Sequence, residues 1–149
     1  LMSDEIIPLS FQKPIYKNSH ILLATLLGGP LGATWLLAEN FKKLGHQEKI
    51  RKTWISGIVA SILVILISFL LPADWNIPNF VFPFIYVVIA SQVTKITQGA
   101  DIRQHLGEGG AVYSAWRAFC IGLVCLLLMV AFIVAILVLT GHPFFEDPY

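Results

Sequence analysis

The sequence predicts an all-α fold: an integral membrane bundle of four transmembrane helices forming a single transmembrane domain over residues 1–149. Three observations lead there. The chain is 56% apolar and 13% charged, where a soluble domain is about half apolar and a quarter charged. It contains apolar runs long enough to cross roughly 30 Å of hydrocarbon. Its ionisable residues gather beside those runs rather than within them. The mean hydropathy is +0.75, and so little charge cannot solvate a globule of this size, so the apolar excess must face lipid. A net charge of +1, with the basic residues beside membrane segments, gives no reason to expect a nucleic-acid partner.

The first span, 20–39, contains ILLATLLGGPLGATWLLA and is interrupted at its centre by Gly28, Gly29, Pro30 and Gly32. A proline inside a helix removes a backbone donor and crowds the preceding turn. The segment therefore reads as a crossing helix kinked or broken at Gly28-Gly29-Pro30. The alternative is a re-entrant hairpin that leaves on the side it entered. Broken backbone at membrane depth is tolerated only where protein or a water-filled cavity covers it, and three neighbouring helices offer limited cover, so the kinked crossing is the preferred reading.

The second span, 54–71, reads WISGIVASILVILISFLL, and the fourth, 116–140, contains AFCIGLVCLLLMVAFIVAILVLT. Neither run holds an ionisable side chain apart from its cysteines. The third, 79–97, is shorter, with Pro83 acceptable in a first helical turn and Gln92, Thr94 and Lys95 closing it. Cys120 and Cys125, five residues apart on one helix, point to different sides and read as small packing residues.

Loops 40–53 and 98–115, with the span ends beside them, hold eight of the ten basic residues. The bias of Lys and Arg toward the cytoplasm then places both loops inside a bacterial inner membrane and both termini outside, in the periplasm. Lys13, Lys17, Asp4, Glu5, Asp74, Glu146 and Asp147 fall on the outer side in this scheme. Trp54, Trp75 and Trp116 at span ends, with Trp35 near one, suit the interfacial belt of such proteins.

Ala24, Gly28 and Gly32 recur every four residues and form a stripe, with Gly29 and Pro30 beside it, that another helix backbone can approach closely. Gly57 and Ser61 on the second span, and Ser114, Ala118 and Gly122 around the fourth, offer matching faces. Such faces serve packing within the chain, contact with a second copy or partner, or a ligand site at an unwound backbone. Lys42, Lys43, Lys49, Arg51 and Lys52, interleaved with Phe41, Leu44 and Ile50, set the topology and contact anionic head groups, and Arg117 snorkels to the same surface.

The 98–116 segment carries Asp101, Arg103, His105 and Glu108 beside GEGG, but its spacing matches neither a P-loop nor a dinucleotide fingerprint. His46, His105 and Glu108 form only a weak metal-ligand pattern. His20 and His142, both placed on the outer side, lack a third ligand. Glu39 lies at the inner edge of the first span and reads as an interfacial ion pair with Lys42 or Lys43, or with Lys95 or Arg117. No Asp, Glu, His or Arg lies near a midplane, whereas ion-coupled carriers place titratable groups there. No metal, cofactor or catalytic constellation is called for.

Taken together, LLGGPLGATWLLAENFKKLG (26–45), KITQG (95–99) and GGAVYSAWRA (109–118) resemble a pattern in an uncharacterised family of small bacterial polytopic membrane proteins. There a Gly-Gly-Pro helix is followed by an Asn-Phe-Lys turn, and an aromatic-Ser-x-Trp-Lys/Arg-Ala segment leads into the last helix. The resemblance implies a bacterial cytoplasmic membrane and brings no function with it. The reading that follows is a non-enzymatic membrane protein acting by helix–helix association. It is an accessory or assembly subunit of a larger complex or a homo-oligomer, with membrane lipids and other membrane subunits, or itself, as partners. The alternative is a small transporter or channel-like bundle using the broken first helix as its site.

Overall fold

The computed structural model describes residues 12–72 and 74–141. Five helices are present among them: α1 (Asn18–Lys43), α2 (Gln47–Leu70), α3 (Val81–Thr97), α4 (Gly99–Gly107) and α5 (Ala115–Leu139). The fold is all-helical. By total length and composition alone three of the helices, α1, α2 and α5, suffice to cross a membrane, and the count reaches four if α3 and α4, bent by 69° at their junction, form one broken span.

The break in α1 reverses the chain. At Gly29 the backbone takes φ 58°, ψ −149°, a region open to glycine and costly for any residue with a Cβ. Pro30, which has no N–H to lose, then opens a new helix at its first position. The two arms, 18–28 and 30–43, lie side by side. The Tyr16 N–H donates to Asn40 Oδ1 at 2.7 Å and Asn40 Nδ2 donates to the Tyr16 carbonyl at 2.9 Å, although a continuous helix would hold residues 24 apart about 36 Å from each other. Nearer the tip, a Cβ on Gly32 would run into the Ala24 carbonyl. At 1.5 Å per residue the arms measure roughly 17 and 21 Å, too short for a bilayer's 30 Å core. The expected kinked crossing is therefore corrected to a helical hairpin. A Gly-Gly-Pro sequence serves as a helix stop followed by a helix start as readily as it serves as a kink.

The hairpin is the centre of the bundle. Helices α2, α3 and α5 each pack on it and scarcely on one another. The apolar stretch of α1 is 56% buried against 11% for α2 and α5, while its mean hydropathy is the lowest of the three, 1.7 against 2.4 and 3.3. The least apolar helix lies inside because close packing needs small side chains and lipid contact needs large apolar ones. Buried positions on the partner helices form narrow seams: Gly57, Ser61 and Ile65 on α2, Ala90 and Thr94 on α3, and Ala118, Gly122 and Cys125 on α5.

Helix α2 starts seven residues before the expected span, so Lys49, Arg51 and Lys52 stand on its first two turns rather than in a loop. The expected 98–115 connector contains α4, which turns under the bundle and buries Ile102 and His105. The residues before α1 join this same end, since the Ile15 N–H donates to the Ala111 carbonyl and the Tyr113 N–H to the Ile15 carbonyl. Lys13, Lys17 and His20 thus lie on the side of the two basic loops, not opposite them, and all ten Lys and Arg residues gather at one end of the bundle. With α1 doubled back, that end and the C-terminal end of α5 lie on opposite sides. Asp4, Glu5, His142, Glu146 and Asp147 fall outside the described residues.

Candidate functional site

The open base of the hairpin is closed by a buried polar cluster drawn from four parts of the chain. Asn40 is fully buried. Besides its pair of bonds to the Tyr16 backbone, its Nδ2 donates to Gln98 Oε1 at 3.1 Å, and Gln98 Nε2 donates to the Leu37 carbonyl at 2.8 Å. Both amides lie at the ends of apolar helices, where backbone groups left over by the turn need partners.

Beside them, the Tyr16 and Tyr113 rings stack at 4.5 Å. Arg117 on the first turn of α5 donates from Nε to Tyr16 Oη at 2.8 Å, lies 4.2 Å over the Tyr113 ring and comes within 3.6 Å of Glu39. Tyr113 Oη donates to the same Glu39 oxygen at 3.2 Å. Burial pushes the Tyr16 phenol above its usual pKa against the opposing pull of Arg117, so at neutral pH it is un-ionised and accepts the Arg117 hydrogen bond. His105 Nε2 bonds the Ala111 carbonyl at 2.8 Å. A carbonyl can only accept, so that nitrogen holds the proton. His46 meets Asp101 at 3.3 Å, and among the described residues no three His, Cys, Asp or Glu side chains come together.

These placements redistribute the residues singled out in the sequence. The Ala24, Gly28, Gly32 stripe is divided by the reversal. Gly28 faces α5, where a Cβ would lie 2.6 Å from Cys125 Cβ and 2.9 Å from the Gly122 carbonyl, and Gly122 in turn faces Ala24 at 3.1 Å. Gly32 faces Ala24 across the hairpin, Gly57 sits against Thr34, and Gly29 has open space around it. The Ser61 hydroxyl donates to the Gly57 carbonyl at 2.8 Å, and Ala118 is fully buried in the core cluster. Lys42 and Lys43 occupy the last turn of α1. Glu39 pairs with Arg117, the last of the partners considered for it, and Arg117 is drawn into the polar cluster instead of reaching freely for head groups.

Tyr16, Asn40, Gln98 and Tyr113 were not singled out individually. The available signal was uncharged polar residues at the ends of apolar runs, together with the Tyr113–Arg117 spacing of one helical turn.

A second feature flanks the second arm. Helices α2 and α3 stand apart over it and leave an apolar groove of about 940 Å³. It runs from Lys49 on α2 to Ile67, about 27 Å along the helix. Its walls include small residues, Ala33, Ala60 and Ala90. Beyond the hairpin tip the bundle has little interior: no residue of 126–139 on α5 or of 81–89 on α3 is buried, and Phe84, Leu127 and Val138 are more than 60% exposed.

Hairpin, seams and groove together have the architecture of a multi-pass helical membrane protein. No family model, curated protein or solved structure matches the chain.

Proposed function

We propose that this protein is a small, non-enzymatic component of a bacterial inner membrane that acts by association, seating a transmembrane helix of a second copy or of a partner subunit in the α2/α3 groove. The groove is the observation that supports this reading. Its length matches most of a bilayer's hydrocarbon core, and Ala33, Ala60 and Ala90 among its larger apolar walls give a helix backbone places to come close, which is what drives association where lipid removes the hydrophobic incentive. The unpartnered outer halves of α3 and α5 add apolar surface for the same purpose.

In the accompanying orientation the hairpin is re-entrant from the cytoplasmic side. The ten cations then face the cytoplasm, and α5 ends in the periplasm. The resemblance noted for the Gly-Gly-Pro and Tyr-Ser-x-Trp-Arg segments agrees with a bacterial membrane.

The test is native mass analysis of the protein extracted in mild detergent, with and without Ala60→Phe, which narrows the groove from a partly buried wall position. A dimer or stoichiometric complex that Ala60→Phe dissociates, with helix content retained, supports the reading. A partner-free monomer, or an assembly indifferent to the substitution, overturns it.

A second reading, a small transporter or channel-like bundle, draws on the hairpin tip, which meets α5 at Gly122 and Cys125, near that helix's midpoint. It ranks second because residues 21–38 contain no ionisable side chain of the kind that marks ion pathways.

A further inference from the structure

At the hairpin base, three cations from three elements line one pocket of about 330 Å³: Lys17 just before α1, Lys95 at the end of α3 and Arg103 on α4. No Asp or Glu lines it. Among the described residues the ion pairs are His46 with Glu48 and Asp101, and Arg117 with Glu39, and none reaches these three cations. The nearest acid in sequence, Asp101, is two positions from Arg103, about 200° around α4, and is engaged by His46. The three residues are exposed, and an anion entering the pocket meets positive charge from three elements with no carboxylate among its walls.

The remaining walls suit the same occupant. The first turn of α1 has no acidic residue and no side-chain cap, which leaves the Asn18 and Ser19 N–H groups among the free donors of a helix start. Ile102 and Leu106 supply an apolar wall. The pocket also lies where the apolar run of α3 ends at Lys95, the level at which lipid phosphates sit.

We propose that this pocket binds a phosphate group, that of an anionic phospholipid head group whose chains lie along α3. Basic pockets between transmembrane helices on the cytoplasmic side hold such head groups, and each nearby cation contributes about a fivefold gain in binding.

The experiment is native mass spectrometry of the detergent-extracted full chain, titrated in parallel with phosphatidylglycerol, with phosphatidylcholine and with inorganic phosphate. The proteins compared are wild type, Lys17→Gln/Arg103→Gln, and a control, Lys42→Gln/Lys43→Gln, that removes the same charge elsewhere on this face. The expected result is preferential retention of phosphatidylglycerol, weakened about 25-fold in the pocket variant and only a fewfold in the control, whose lysines meet head groups diffusely, with Arg103→Lys retaining most binding. Equal losses in the two double variants would mean diffuse surface attraction and overturn the proposal, as would unchanged binding in the pocket variant. A pocket-dependent response to inorganic phosphate with none to phosphatidylglycerol overturns the lipid as the source of the phosphate. Circular dichroism of each variant keeps loss of fold apart from loss of the site.

Discussion

Replacing Asn40 with alanine removes the side chain that ties the hairpin's two ends together. Three hydrogen bonds go with it, from the Tyr16 N–H, to the Tyr16 carbonyl and to Gln98 Oε1. The site is fully buried, so water does not freely replace them. Side-chain hydrogen bonds within membrane bundles average about 0.6 kcal/mol and those in soluble cores about 1 kcal/mol. The three bonds together therefore put the cost at roughly 2–3 kcal/mol, a large share of a small protein's stability. Reversible unfolding in mixed micelles, followed by circular dichroism, measures it, with Lys42→Ala on the exposed last turn as the comparison. A loss under about 0.5 kcal/mol for Asn40→Ala would refute the reasoning, because it would mean that the hairpin is held by its seams alone and that the Tyr16–Asn40 pairing is incidental.

Two further outcomes follow from the same architecture. Gly28→Val puts atoms where Cys125 Cβ and the Gly122 carbonyl already stand, so a destabilisation of about 1–3 kcal/mol from overpacking is expected in the same unfolding assay. Cys125→Ala should return little of it, since alanine keeps the Cβ that obstructs and the Gly122 carbonyl belongs to the backbone. In a background lacking Cys120 and Cys125, single cysteines at Lys13 and Lys43 should react with a membrane-impermeant thiol reagent from one side of the membrane, and one at Thr140 from the other. Labelling of Lys13→Cys and Lys43→Cys from opposite sides would restore the crossing helix and remove the hairpin.

Much of the fold is legible in composition and periodicity. The boundaries of α3 and α5 lie within two residues of the expected spans, because an uninterrupted apolar run bounded by polar residues has few alternatives. The start of α2 was not legible, since Gln47–Thr53 is polar apart from Ile50 and nothing in hydropathy distinguishes a solvated helical turn from a loop. The small residues at Gly57, Ala118 and Gly122 announced close helix contacts. Their partners, Thr34 for Gly57, Ala24 for Gly122 and the core cluster for Ala118, could not be read from spacing along one chain. The polar cluster was missed for a related reason. Tyr16, Asn40, Gln98 and Tyr113 are separated by tens of residues, and each alone is an ordinary polar group at a helix end.

By itself the sequence determined that the chain is helical and apolar enough for lipid, that its cations stay out of the apolar runs, and that helix α1 breaks at Gly28-Gly29-Pro30. Those are local properties, set by side-chain transfer energies and by what glycine and proline permit at a single residue. Only the tertiary structure decided what the break does. The same Gly-Gly-Pro allows a modest kink or a full reversal, and the choice rests on Asn40 reaching Tyr16 and on α5 accepting Gly28 against Gly122. That reversal carries Lys17 across to Lys95 and Arg103, because it returns the chain to the end of the bundle from which it set out.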